Sequence, residues 1–351
     1  MADTAIEWAD RVWNPTTGCD RVSPGCDHCY AMTMAKRLKG MGQAKYQRDG
    51  DPRTSGPGFG VSVHPDALDL PLKWRKPQRI FVNSMSDLFH DQVPDEYIAR
   101  VWGVMAWSPH HTYQILTKRH ARMRSLLNAR AFKSAVDDAW YDLGRRLKLS
   151  RPDSPAHPYD RWPLPNCWLG VSAENQQWAD IRIPPLLDTP AAVRFVSAEP
   201  LLGPIDLLGG NADKPGPAMV RVYGQCEHDG VTEWDYHDEP GIDWVITGGE
   251  SGPGARPMHP DWARSLRDQC QRAGVAFLFK QWGEWQPSSP RQEMVANGRR
   301  YRYARRWIHP DGSTADYFEP STPMDRVGKH RAGRELDGRT WDEYPQAVAH
   351  G

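Results

Sequence analysis

The sequence predicts an α/β protein built as a complete or partial (β/α) TIM-like barrel with parallel strands. Three observations lead there. Short apolar, β-rich runs recur through roughly the first 280 residues, helical patterns fall between several of them, and three runs end in a small residue followed by glutamate. Continuous apolar runs of this length suit strands buried on both faces of a parallel sheet, and strand–helix alternation is how such a sheet is wound.

The elements follow in chain order. Residues 11–13 make a weak first strand, and a cysteine-bearing loop at 17–31 leads into a helical run at 31–38. A second weak strand candidate is 61–64. The clear strands are 79–83, 112–116, 167–171, 193–196, 244–247 and 275–279. A helix at 95–106 separates two of them, and one at 261–272, entered through Pro260-Asp261, separates two more. Residues 119–150 read as a polar helical insertion, 151–165 as a Pro-rich connector and 208–241 as a second, loop-like insertion. The expected organisation is a barrel-like domain at 1–286, with a basic insertion at 119–165 and an acidic one at 208–241, followed by an irregular Arg- and aromatic-rich extension at 287–351.

Composition bounds the function. The 351 residues are 39% hydrophobic, enough for a sizeable core, and carry 44 basic and 44 acidic side chains, which excludes a uniformly basic coat. The start of the chain has no basic-then-apolar leader pattern, and no run approaches the ~18 apolar residues of a membrane span. A cytoplasmic protein without a membrane partner is the expectation.

Val171-Ser172-Ala173-Glu174 recurs as Val196-Ser197-Ala198-Glu199, and a third strand ends in Thr247-Gly248-Gly249-Glu250. Functional groups of barrels gather at the carboxyl ends of strands, so three glutamates at matching positions favour a shared site. The competing reading is that each glutamate caps a helix or pairs with an arginine. Gly248-Gly249 is either a close backbone approach to a ligand or a tight turn. Asn83-Ser84-Met85-Ser86-Asp87 ends another strand, with Asp87 as a turn cap or a ribose ligand. Lys118-Arg119 puts two cations directly after a strand, suited to phosphate or carboxylate. Lys280 ends the Phe277-Leu278-Phe279 strand and draws a charge to the rim of the apolar core, the competing reading being a salt bridge to a strand-end glutamate. His64, His90, His110 and His111 have no metal spacing and read as structural.

Cys19, Cys26 and Cys29 stand in a C-x6-C-x2-C pattern, while Cys167, Cys226 and Cys270 are scattered. Three clustered thiols point to metal or redox chemistry. A [4Fe–4S] cluster takes four ligands, so three thiolates would leave one iron open to a small molecule. Zinc is the alternative metal and needs a fourth ligand, for which His28 is awkwardly placed inside the C-x2-C turn. A metal-free thiol cluster is the third reading.

Cys26-Asp27-His28-Cys29-Tyr30-Ala31, after the first strand, resembles the cluster loop of radical S-adenosylmethionine enzymes, whose usual spacing is C-x3-C-x2-C; here the first gap is six. The chain as a whole more closely resembles a phage- and prophage-borne family with a three-cysteine motif. The matching stretches include Trp13-Asn14-Pro15-Thr16-Thr17-Gly18-Cys19, Asn83–Phe89, Leu116–Arg119, Gly170–Asn175, Ser197–Leu202, Gly248–Gly252, Phe279–Gly283 and Lys329–Pro345. The resemblance implies a cluster on Cys19, Cys26 and Cys29, and S-adenosylmethionine bound through its amino and carboxylate groups. It implies one-electron cleavage of that cofactor to a radical that abstracts a substrate hydrogen, and an electron donor as partner. Under it Glu174, Glu199 or Glu250 would accept from the cofactor ammonium. Lys118, Ser172 or Ser84 would meet its carboxylate, and Gly248 and Gly249 would allow close approach.

Charge is segregated. Residues 118–151 are net +7, 291–307 net +5 and 225–250 net −8. In the second stretch Arg299, Arg300, Tyr301, Arg302, Arg305, Arg306 and Trp307 mix cations with rings, a pattern suited to nucleic acid. Internal pairing with the acidic stretch is the competing reading. The first expectation is therefore a radical enzyme acting on a nucleic-acid base. A nucleic-acid-binding protein with a structural zinc or cluster is second, and a metal-dependent hydrolase or nuclease third.

Overall fold

The computed structural model describes residues 4, 6–148, 157–208, 223–228, 231–236, 241–288, 294–296, 299–301, 304–315 and 320–345. Seven strands form one parallel sheet: β1 (Arg11–Trp13), β2 (Arg79–Val82), β3 (Thr112–Thr117), β4 (Cys167–Ser172), β5 (Val193–Ala198), β6 (Trp244–Gly248) and β7 (Ala276–Gln281). Their order in the sheet is their order in the chain, the winding of a (β/α) barrel. Among the described residues β1 and β7 are its edges, so the barrel is partial. Every residue of β4 and of β6 is buried, which is why these strands read as unbroken apolar runs.

Helices α1 (Tyr30–Gly40), α2 (Asp95–Trp107), α3 (His120–Asn128), α4 (Arg130–Leu147), α5 (Gln176–Leu187) and α6 (Pro260–Ala273) fall between the strands. Asp95 and Glu96 occupy the first turn of α2, where the helix dipole favours them. Pro260 opens α6, the His259 ring accepts from the Asp261 amide at 3.1 Å, and Gly274 at φ 66° ends the helix. The helices of the basic insertion are packed, not free. Phe132, Val136, Trp140 and Leu143 make the buried stripe of α4. Trp140 stacks on Trp107 of α2 at 4.8 Å, and the Trp107 indole donates to the Trp140 carbonyl at 2.7 Å.

Several expectations shift. Only Ser62–Val63 of the second weak strand candidate is extended, and it pairs antiparallel with Thr16–Thr17, outside the barrel sheet. Helix α5 escaped the sequence reading because Pro184 and Pro185 lie inside it. The 208–241 insertion carries an antiparallel pair, Tyr223–His228 with Val231–Tyr236. In the extension, Trp285–Pro287, Thr322–Arg326, Arg305–Ile308 and Thr314–Ala315 make an antiparallel sheet. Its strands of two to five residues are too short to show a period.

The chain divides into two compact units. One holds 1–171, 184–195 and 348–351, the other 172–183 and 196–347. Trp8, Trp13, Ile80, Val82, Tyr113, Ile115 and Leu169 centre the first core; Val196, Trp244, Ile246, Leu266, Phe277 and Phe279 centre the second. No helix among the described residues is long and apolar enough to cross a membrane.

Candidate metal centre

The cysteine loop belongs to the first unit and starts from a tightly held backbone. Gly18 has φ 89°, its amide donates to the Met85 carbonyl at 2.9 Å, and a Cβ on it would lie 2.4 Å from the Gly60 oxygen. Only glycine fits there. Gly18→Ala is expected to cost about 2 kcal/mol or more, from the left-handed backbone and the clash together, read by urea denaturation; an unchanged midpoint would refute this.

Past Cys19 the chain makes a 3-10 turn, Pro24–Cys26, and Cys29 is the N-cap of α1. Cys19 and Cys29 pack on a small apolar cluster of Ala31, Ala35, Phe59 and Met85. Burial pushes the Cys19 thiol well up; Asp87 adds to the shift, Arg119 opposes it, and Cys26 and Cys29 raise it further. Burial also raises the Cys29 thiol, while the amides of Met32 and Ala31 and the Lys118 ammonium pull it down. The three thiols are thus within electrostatic reach of one another, with Lys118 and Arg119 as their nearby cations. Among the described residues no three His, Cys, Asp or Glu stand close enough to hold a metal ion as they are.

Polar side chains clasp the loop. Asp20 accepts from Thr54 Oγ1 at 2.5 Å and pairs with His90 Nε2 at 2.9 Å. Burial alone would raise the Asp20 pKa; the hydrogen bonds from Thr54 and His90 outweigh it and hold the carboxyl below its ordinary value. Cys19 Sγ and Arg119 Nη2 both donate to the Asp20 carbonyl, each at 3.5 Å. Asp87 accepts from Thr117 Oγ1 at 2.7 and 2.9 Å and from the amides of Lys118 and Phe89, each at 3.0 Å. It fills the turn-cap role and also fixes the start of the Lys118-Arg119 step. Ser84 faces Asn14, at 3.3 Å, so it ties the strand end to the segment before the loop.

The strand-end glutamates lie in the second unit, each with a cation. Glu174 is fully buried with Arg182, whose Nη1 donates to Glu174 Oε2 at 3.0 Å and to the Ser172 carbonyl at 2.8 Å; the guanidinium also lies over the Trp178 ring at 4.2 Å. Glu250 binds Arg256 at 2.7 Å. Glu199 pairs with Lys280 at 3.1 Å, so the competing reading of Lys280 holds, and accepts from Ser197 Oγ at 3.3 Å. A Cβ on Gly248 would stand 2.6 Å from Glu199 Oε1, and one on Gly249 would stand 2.1 Å from the Trp282 carbonyl. The two glycines make room for the chain's own groups. The structure therefore brings Glu199, Ser197, Gly248 and Lys280 together, whereas Glu174 and Glu250 are engaged in ion pairs of their own.

A family model described as a protein of unknown function, DUF5131, matches residues 3–345. The chain belongs to the DUF5131 family. No curated protein and no solved structure matches it.

In this DUF5131 protein the aromatic-basic extension is partly turned inward. Arg305 makes a two-pronged bond to Asp325 at 2.7 and 2.9 Å, and Arg306 lies over the Trp285 ring at 5.6 Å. Trp307 lies opposite Pro323 in the antiparallel sheet. Arg299, Arg300 and Tyr301 form a short strand against Met294–Ala296, and Arg302 lies outside the described residues. Cys167 is core, its Sγ 3.6 Å from Met105 Sδ, and Cys270 is fully buried in α6. His90 read as structural, and its pairing with Asp20 is what the sequence reading missed. Their link spans 70 residues, and the one local signal was an acid directly after Cys19.

Proposed function

We propose that this protein is an iron–sulfur enzyme of radical S-adenosylmethionine type that acts on a nucleic-acid base. The observation that supports it is the gathering of Cys19, Cys26 and Cys29 in one clasped loop, within electrostatic reach of one another and of Lys118 and Arg119. The residue types suit a [4Fe–4S] cluster: three thiols with an apolar wall beside two of them, which would have to draw together to hold it and would leave a fourth iron without a protein ligand. When bound, the cluster and S-adenosylmethionine would together supply a radical able to abstract a substrate hydrogen.

The chain's own residues do the rest. Burial keeps the Cys19 and Cys29 thiols protonated at neutral pH, so loading metal must displace protons. Arg119 favours the Cys19 thiolate and Lys118 favours that of Cys29, offsetting the negative charge that three thiolates bring. The Asp20–His90 clasp and Gly18 hold the loop in register with the ends of β1 and β2. The reading places the protein in a reducing cytoplasm, with an electron donor as partner.

The test is anaerobic purification followed by iron, sulfide and zinc analysis, with electron paramagnetic resonance of the reduced protein with and without S-adenosylmethionine. The expected result is about four irons per chain and a signal that changes on adding the cofactor. Zinc alone, or a cluster blind to the cofactor, would make the metal structural and overturn the enzyme reading.

A further inference from the structure

Helix α1 begins immediately after Cys29, and its outward face is unlike an ordinary solvated one. Ala31 and Ala35 are buried, while Tyr30, Thr33, Lys36, Arg37, Gly40 and Met41 are exposed. Tyr30, at 67%, is the most exposed large hydrophobic side chain among the described residues. Tyr30, Thr33 and Arg37 follow i, i+3, i+7 spacing and so share one stripe, about 10 Å long at ~1.5 Å per residue.

Residues 30–48 contain Lys36, Arg37, Lys39, Lys45 and Arg48 and no acid. A solvated basic helix usually interleaves acids that pair three or four residues away. Among the described residues two of the five cations meet an acid: Lys39 binds Asp49 at 2.5 Å, and Lys45 stands 4.0 Å from Asp66. Lys36, Arg37 and Arg48 are exposed and form no ion pair among the described residues. Arg21, also exposed, extends the charge to the other side of the loop, where its guanidinium donates to the Asp27 carbonyl at 3.3 Å. Unpaired cations flank an exposed ring one residue past a candidate metal ligand.

We propose that the exposed residues of α1 and of the segment after it, Tyr30, Lys36 and Arg37 with Arg48, bind single-stranded nucleic acid. Their cations meet the phosphates and the Tyr30 ring stacks on an unpaired base. The inference deepens the proposed function and rests on it in one respect: the bound strand is the substrate, delivered to the cysteine loop. An acidic protein would use the same cations but gain little from an exposed ring, whereas stacking on an unpaired base rewards it directly.

The experiment is fluorescence anisotropy of a fluorescein-labelled 20-mer oligothymidylate across a salt series, with iron measured separately on each preparation. Lys36→Ala/Arg37→Ala/Arg48→Ala is expected to weaken binding at least about tenfold at low salt and to flatten the plot of log affinity against log salt by about 2, at ~0.7 per lost phosphate contact. Tyr30→Ala is expected to weaken it at least about fivefold and to leave the slope unchanged. Iron content equal to wild type in both variants separates this result from failure of the cluster reading. Unchanged affinity and slope in the triple variant overturn the proposal. Loss in the triple variant with none in Tyr30→Ala also overturns it, in favour of a partner that reads charge alone.

Discussion

Replacing Cys26 with Ala is expected to leave the anaerobically purified protein with little or no iron, where the proposed function expects about four per chain in the parent. Cys26 is the middle thiol of the loop and is buried at the end of the 3-10 turn. With it gone, Cys19 and Cys29 would have to share the metal alone, against burial that already favours their protonated forms. Two thiolates do not hold a cubane that needs three or four. The fold should survive, because Cys26 lies in a turn and the change removes a single sulfur atom, which stands 3.9 Å from Ser23 Oγ. Cys270→Ala is the control. That thiol is also buried, but it sits within α6, and the variant should keep its iron. A full cluster in Cys26→Ala would remove this residue from the ligand set and take the proposed function with it.

The second large effect concerns stability. Glu174→Ala is expected to destabilise the protein by about 3–5 kcal/mol, because it strands the Arg182 guanidinium in an environment where both side chains are fully buried. Arg182 would keep its bond to the Ser172 carbonyl and its place over Trp178, but neither carries a balancing negative charge. Glu174→Leu/Arg182→Met removes both charges and should lose less than Glu174→Ala alone, since an apolar pair of similar volume is often neutral relative to a buried ion pair. Urea denaturation of the three proteins measures it. A loss below ~1 kcal/mol in Glu174→Ala would mean that Arg182 finds other compensation, and that the pair contributes little to stability.

The parts of the fold that were legible share a physical basis. β4 and β6 are buried along their whole length, so an apolar run dominates their sequences; no partner needs to be known to read them. Helices α2 and α6 carry their start signals locally, in Asp95-Glu96 and Pro260. Helix α5 was hidden by its double proline, and the strands of the extension by their brevity.

The candidate site divides the same way. Spacing alone singled out Cys19, Cys26 and Cys29, since thiols close in sequence stay close in any fold. The repeated strand-end glutamates were equally visible, but their roles were not. Whether Glu174 faces a ligand or Arg182 depends on a side chain eight residues on, brought back by the turn into α5. Whether Gly248 admits a ligand or Glu199 depends on a different strand. Parallel winding, the cysteine cluster and the cations after β3 can be read along the chain. Which charges are already neutralised cannot, because an ion pair is a property of distance. Asp20 and His90 are 70 residues apart in the chain and 2.9 Å apart in the fold.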